Sequence, residues 1–172
     1  SLYLELFLSK FYVESSRFYF MFLAVLIEEF LKFILIAILI FPKKIVDELI
    51  DIVIYTIFSA SGFAFIENIF YILGSEGVNS FMVLFLRFLS ANLLHILTSS
   101  LIGIGYASAL NIRRILPLIL TFFSAIFLHF MYNYFIIKQS LIFLNIPILW
   151  IVFMVVIIEL NQLAVNNGKR KI

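Results

Sequence analysis

The sequence contains no cysteine, only three prolines and six glycines, and charged side chains at 13% of its 172 positions. Without cysteine there is no disulfide framework, no thiolate nucleophile and no Cys-based zinc site, and redox chemistry is silent about compartment. Twelve Lys and Arg against ten Asp and Glu leave a formal charge of +2, with a pI near 8.9. That basic balance is too small to point to nucleic acid. The basic residues instead form short clusters that resemble topological anchors. Neither an internal repeat, a low-complexity linker nor a cleavable signal peptide is visible. The chain opens at Ser1, not Met, as expected of a trimmed or truncated product.

What is abundant is apolar. Hydrophobic residues make up 65% of the chain and Phe alone contributes 22; the mean hydropathy is +1.18. A soluble domain is usually about half apolar, and a chain this short has too little interior to hide the excess. Lipid must solvate most of this surface. A spanning helix needs roughly 20 apolar residues, and five segments qualify: about Arg17 to Phe41, Ile45 to Leu73, Phe81 to Leu110, Ile115 to Ile137 and Leu141 to Leu163. Pro117 falls in the first turn of the fourth, where its missing N–H is harmless. Pro147 falls in the early turns of the fifth and can reset its start. The expected fold is all-α, a polytopic membrane bundle of about five helices. Residues 1–14, broken by Glu5 and Lys10, read as an interfacial or partial helix, 15–165 as the bundle, and 166–172 as a basic cytoplasmic tail.

If every helix crosses once, Lys43-Lys44, Arg113-Arg114 and Lys169 to Lys171 share one side, while the loop from Gly74 to Asn79 has no Lys or Arg. The positive-inside rule puts the basic side and the C-terminus in the cytoplasm, and a prokaryotic plasma membrane is the expected location.

Ionisable groups inside a span are costly and are functional candidates by default. The first helix carries Glu28, Glu29 and Lys32 near its middle. Glu28 and Lys32, four apart, share a face and are positioned to pair; Glu29 is turned about 100° away. A buried ion pair that only fixes packing is the plainer reading, but three ionisable groups within a turn and a half favour function. Glu67 lies on the second helix with Asn68 and Tyr71; taken alone it could equally be snorkelling to the outer interface. Asp47, Glu48 and Asp51 belong to the inner end and are expected to be solvated beside Lys43 and Lys44. The third helix carries Arg87 and His95, two turns apart, then Ser99, Gly103 and Ala107 as a small-residue packing face. The fourth carries His129 and Asn133 on one face. A lone His or Asn is often interhelical glue; the chain's only two histidines, both inside spans and joined by three Glu, are harder to dismiss.

Peptide hydrolysis needs an activated water and a donor for the oxyanion. A carboxylate and an imidazole can supply the base, and imidazole or Asn N–H the oxyanion donor. Two His and one Glu also match a catalytic zinc shell with an open position. The chain has no H-E-x-x-H, so spacing alone leaves metal and metal-free chemistry both open.

The motifs resemble those of PrsW-type intramembrane proteases. Ile27 to Ile36 (IEEFLKFILI) looks like the family's E-E-x-x-K motif. Asp51 to Leu73 looks like its D-G-x-x-Y … G-F-A-x-x-E-N-x-x-Y segment, with Ile52 in place of the usual Gly. Arg87 to Ala107 resembles its Arg-then-His helix and Leu128 to Tyr134 its H-x-x-x-N segment. Four motifs in order cover most of the chain between Ile27 and Tyr134. The resemblance implies a membrane endopeptidase, distantly similar to the CAAX prenyl proteases, that makes the first cut in a membrane-anchored anti-sigma factor. It carries over Glu28, Glu29, Glu67, His95, His129 and Asn133 as catalytic residues, with Lys32, Asn68 and Arg87 in support. In the expected division of roles, Glu28 or Glu29 with His95 activates water and His129 with Asn133 holds the oxyanion. Glu67 orients a His or joins a metal shell, and Lys32 and Arg87 partner the acids.

No obligatory cofactor is expected, because the acids outnumber what a zinc shell needs. Zn²⁺ on His95, His129 and either Glu67 or Glu29 is the alternative. The expected partners are a membrane-anchored protein substrate and the bilayer, with no nucleic acid. Two other classes compete. One is a proton-coupled carrier, against which stands the absence of repeated halves and paired broken helices. The other is a catalytically silent binding or immunity protein on the same bundle.

Overall fold

The computed structural model describes residues 17–40, 46–74, 80–137 and 139–167. The expected interfacial segment at 1–14, the lysines Lys43 and Lys44, and the end of the basic tail lie outside the described residues. Among the described residues five helices follow one another: α1 (Arg17–Leu39), α2 (Leu49–Gly74), α3 (Ser80–Ile112), α4 (Leu116–Ile137) and α5 (Asn145–Asn167), with a 3₁₀ segment, Gln139–Leu144, before the last. Four of them, α2 to α5, have the length and apolar composition of a membrane span. α1 is as long as α5 at 23 residues, but carries Glu28, Glu29 and Lys32. The chain is an integral membrane protein built as an all-helical polytopic bundle, as its composition requires.

The helix ends have local causes. α2 begins four residues later than its apolar run. There the Asp51 carboxylate reaches back to accept the N–H groups of Asp47 (3.0 Å) and Glu48 (2.9 Å), satisfying donors that the first turn leaves open. α3 ends where Arg113 adopts a left-handed φ of 52° and the Arg114 N–H turns back to the Ala109 carbonyl at 3.1 Å, a Schellman-type stop. α5 starts at Asn145, so that Pro147 lies in its first turn, where no intrahelical N–H is needed.

α3 is the central post. Of its most apolar stretch 61% is buried, against 17% for α5, and it packs against each of the other four helices. Two glycines set how closely it is approached. A Cβ at Gly103 would collide with Thr56 Oγ1 on α2, and one at Gly105 with Thr121 Oγ1 on α4. Ser99 and Ala107, on the Gly103 face, are buried with it, as small-residue packing requires. Ile52, at the position where the resembled motif has Gly, is fully buried beside Val53, Leu94 and Leu97. The outer faces present Phe58, Phe88, Phe123 and Trp150, which suit lipid and would be costly in water.

Candidate active site

Mid-helix side chains from α1, α2, α3 and α4 meet around Glu29. Its carboxylate is 0% exposed, and one oxygen, Oε1, receives three partners: Lys32 Nζ at 2.6 Å, His129 Nδ1 at 2.7 Å and Thr98 Oγ1 at 3.2 Å. The other oxygen, Oε2, is buried with no hydrogen-bond partner among the described residues. The i,i+4 pairing of Glu28 with Lys32 suggested by spacing is not where the ion pair forms. Lys32 pairs with Glu29 at i,i+3, because His129 and Thr98 draw that carboxylate to the same point. Glu28 lies on the other side of His129, its Oε2 3.6 Å from Nε2. The two neighbouring acids, 100° apart on α1, thus flank one imidazole.

His95 is 2% exposed. Its Nε2 lies 2.7 Å from Glu67 Oε2. An ionised carboxylate only accepts, so Nε2 carries the proton and Nδ1 is left as the lone pair; Lys32 Nζ is 3.4 Å from that atom. The two imidazoles are edge to face, centroids 5.0 Å apart. Behind them runs a second polar chain. Arg87 Nη2 pairs with Glu67 Oε1 at 3.2 Å, Arg87 Nε donates to Asn68 Oδ1 at 2.8 Å, and Asn68 Nδ2 donates to Asn92 Oδ1 at 2.8 Å. The Arg87 guanidinium also stacks 4.3 Å from the Tyr71 ring centre. Asn133 is half-buried on α4, one turn beyond His129, and its Nδ2 has no hydrogen-bond partner among the described residues. Eight of the nine residues singled out in the sequence are therefore joined by direct contacts into one cluster, and Asn133 follows His129 by one helical turn. Thr98 and Asn92 were missed. Thr98 follows His95 by one helical turn, but a Thr in an apolar run reads as a packing residue until Glu29 is seen opposite.

Ligand atoms of Glu29, His95 and His129 lie within 4.8 Å of one another, and all three residues are buried. This donor set fits a divalent metal. Two imidazoles and a carboxylate are the ligand types of a catalytic zinc site. The Glu67–His95 contact is the carboxylate-behind-histidine arrangement that fixes the tautomer of a metal ligand, and Glu29 Oε2 has lone pairs to spare. Between the two candidates offered by the sequence, Glu29 belongs to this triad and Glu67 stands behind it.

No curated protein and no solved structure matches the chain. A family model described as "PrsW family intramembrane metalloprotease" matches residues 2–160. With nearly the whole chain covered, and with its polar motifs converging between the helices of a membrane bundle, the protein belongs to the PrsW family of intramembrane metalloproteases.

Proposed function

We propose that this protease cuts a membrane-anchored protein, such as an anti-sigma factor, in or just beyond the outer part of its transmembrane segment, using a divalent metal held by Glu29, His95 and His129. The observation that carries the proposal is the convergence of those three side chains from three different helices, with Glu28 beside them. The family's description as metalloproteases favours metal-dependent chemistry over the metal-free alternative. When bound, such an ion lowers the pKa of a water and polarises the scissile carbonyl.

The chain's own groups do the rest. Glu28 serves as general base: its carboxylate accepts a proton from the attacking water and returns it to the leaving amine, a role separate from ligation. The Asn133 amide donates to the oxyanion of the tetrahedral intermediate, which a buried N–H without a partner is suited to do. Glu67 holds the His95 ring through Nε2–H, and Arg87 holds Glu67. Lys32 balances the charge of Glu29, which would cost several kcal/mol if buried alone.

The depth of these groups supports an outward-facing site. Glu29 lies near the middle of α1, so the sidedness comes from Glu67 and Arg87, about two helical turns from the Gly74 end of α2 and the Ser80 end of α3 respectively. Exposure rises along the polar line from Glu29 at 0% to Glu67 at 14% and Arg87 at 19%. With the basic loops in the cytoplasm, that line opens to the other side. The test is to incubate the purified, metal-loaded protein with single-pass substrates and to map the cut by mass spectrometry. Cuts confined to soluble loops far from the membrane would contradict the reading.

A further inference from the structure

Lys32 is 2% exposed, and its Nζ touches two members of the triad, Glu29 Oε1 at 2.6 Å and His95 Nδ1 at 3.4 Å. With Nε2–H turned to Glu67, Nδ1 is the lone pair through which His95 would bind a metal. The ammonium thus sits on the His95 lone pair that a divalent cation needs, beside the carboxylate that would complete the site. In a buried site of low dielectric two cations repel strongly and cannot share that lone pair, so metal entry favours a Lys32 side chain that moves away.

The structure provides a place for it. A cavity of about 10 Å³, lined by Lys32, Phe33, Thr56, Ser99 and Ile102, has room for about one water or an ammonium. Ser99 is 3% exposed, and its Oγ has no hydrogen-bond partner among the described residues. Thr56 Oγ1 donates to the Val53 carbonyl and keeps its lone pairs for accepting. The Lys32 backbone carbonyl is held by Ser59 Oγ at 3.4 Å, so the movement lies in the side chain alone.

We propose that Lys32 is a built-in occupant of the metal site with two positions: on Glu29 and His95 when the metal is absent, and in the Thr56–Ser99 cavity when it is bound. The arrangement keeps the buried Glu29 compensated in the metal-free protein, at a cost in metal affinity. It rests on the metal-dependent reading above and adds a regulator of loading to it.

The test needs no substrate. Zn²⁺ affinity of the full chain in detergent is measured by competition with a fluorescent chelator. Lys32→Met removes the internal competitor and is expected to tighten binding about tenfold or more. Ser99→Val fills the cavity and removes an acceptor, and is expected to weaken binding by a similar factor, while Ser99→Ala removes the acceptor but leaves the room and is expected to weaken binding distinctly less. In Lys32→Met/Ser99→Val the affinity equals that of Lys32→Met alone, since no ammonium is left to displace. If Lys32→Met fails to fold, the contrast between Ser99→Val and Ser99→Ala decides. Zn²⁺ binding that is unchanged or weakened by Lys32→Met, or lowered equally by both Ser99 variants, overturns the inference and leaves the metal site standing. Cleavage that persists while neither the wild type nor any variant binds a divalent metal overturns the metal-dependent reading, and the inference with it.

Discussion

Two carboxylates in this bundle have the same kinds of neighbour and different environments. Glu29 touches His129 and Lys32; Glu67 touches His95 and Arg87. The Glu29 pair is sealed, at 0% and 2% exposure, whereas the Glu67 pair is partly open, at 14% and 19%. The cations differ as well. Arg87 is pinned by its planar fork, with Nη2 on Glu67, Nε on Asn68 and its face on Tyr71. Lys32 is a point charge on a flexible stem, in contact with both Glu29 and His95. A guanidinium suits a fixed support, and an ammonium suits a position that has to be vacated. On the proposed reading, the Glu29 side carries the reactivity and the Glu67 side the orientation.

The largest expected effect comes from the reactive side. Glu28→Gln/Glu29→Gln should yield a folded, membrane-inserted protein without proteolysis. Undiminished cleavage of a verified substrate by this variant would remove both acids from the mechanism. Each of His95→Ala and His129→Ala should lower turnover by about 10² to 10⁴. A fall in thermal stability in detergent, with specific activity of the folded fraction intact, would instead return the histidines to interhelical glue. The supporting side should be milder. Glu67→Gln keeps a hydrogen-bond acceptor for His95 but loses the charge, and is expected to cost metal affinity about 10-fold to 100-fold, as losses behind a metal ligand typically do. An effect as large as that of His95→Ala would make Glu67 a ligand in its own right and erase the distinction. Smallest is Thr98→Val, which removes one of three donors to Glu29 Oε1. It should reduce thermal stability by about 1 kcal/mol, and a loss of turnover comparable to His129→Ala would show that Thr98 does more than hold the carboxylate.

Much of this is legible in the sequence. Apolar runs of spanning length gave five helices near their observed places, because in lipid the backbone has to satisfy its own hydrogen bonds and length follows from bilayer thickness. Ionisable residues in those runs marked the cluster, since nothing else justifies their burial. Details set by other helices were hidden. The partner of Lys32 is chosen by His129 and Thr98, 97 and 66 residues downstream, and helical spacing on α1 alone could not report them. The choice between Glu29 and Glu67 as the third metal-binding candidate likewise depends on how α1, α3 and α4 converge. The start of α5 is blurred by a run whose apolar character continues through the 3₁₀ segment Gln139–Leu144, and the capping of α2 by Asp51 adds a role that its reading as a solvated acid does not contain.

The most direct test of the central claim is to measure bound metal and cleavage on the same preparation. Purified wild type should hold close to one divalent ion per chain, lose it and its activity together on chelation, and recover both on adding the ion back. Glu29→Gln should bind it far more weakly. Full cleavage by a chelated preparation shown to contain no metal would contradict the account.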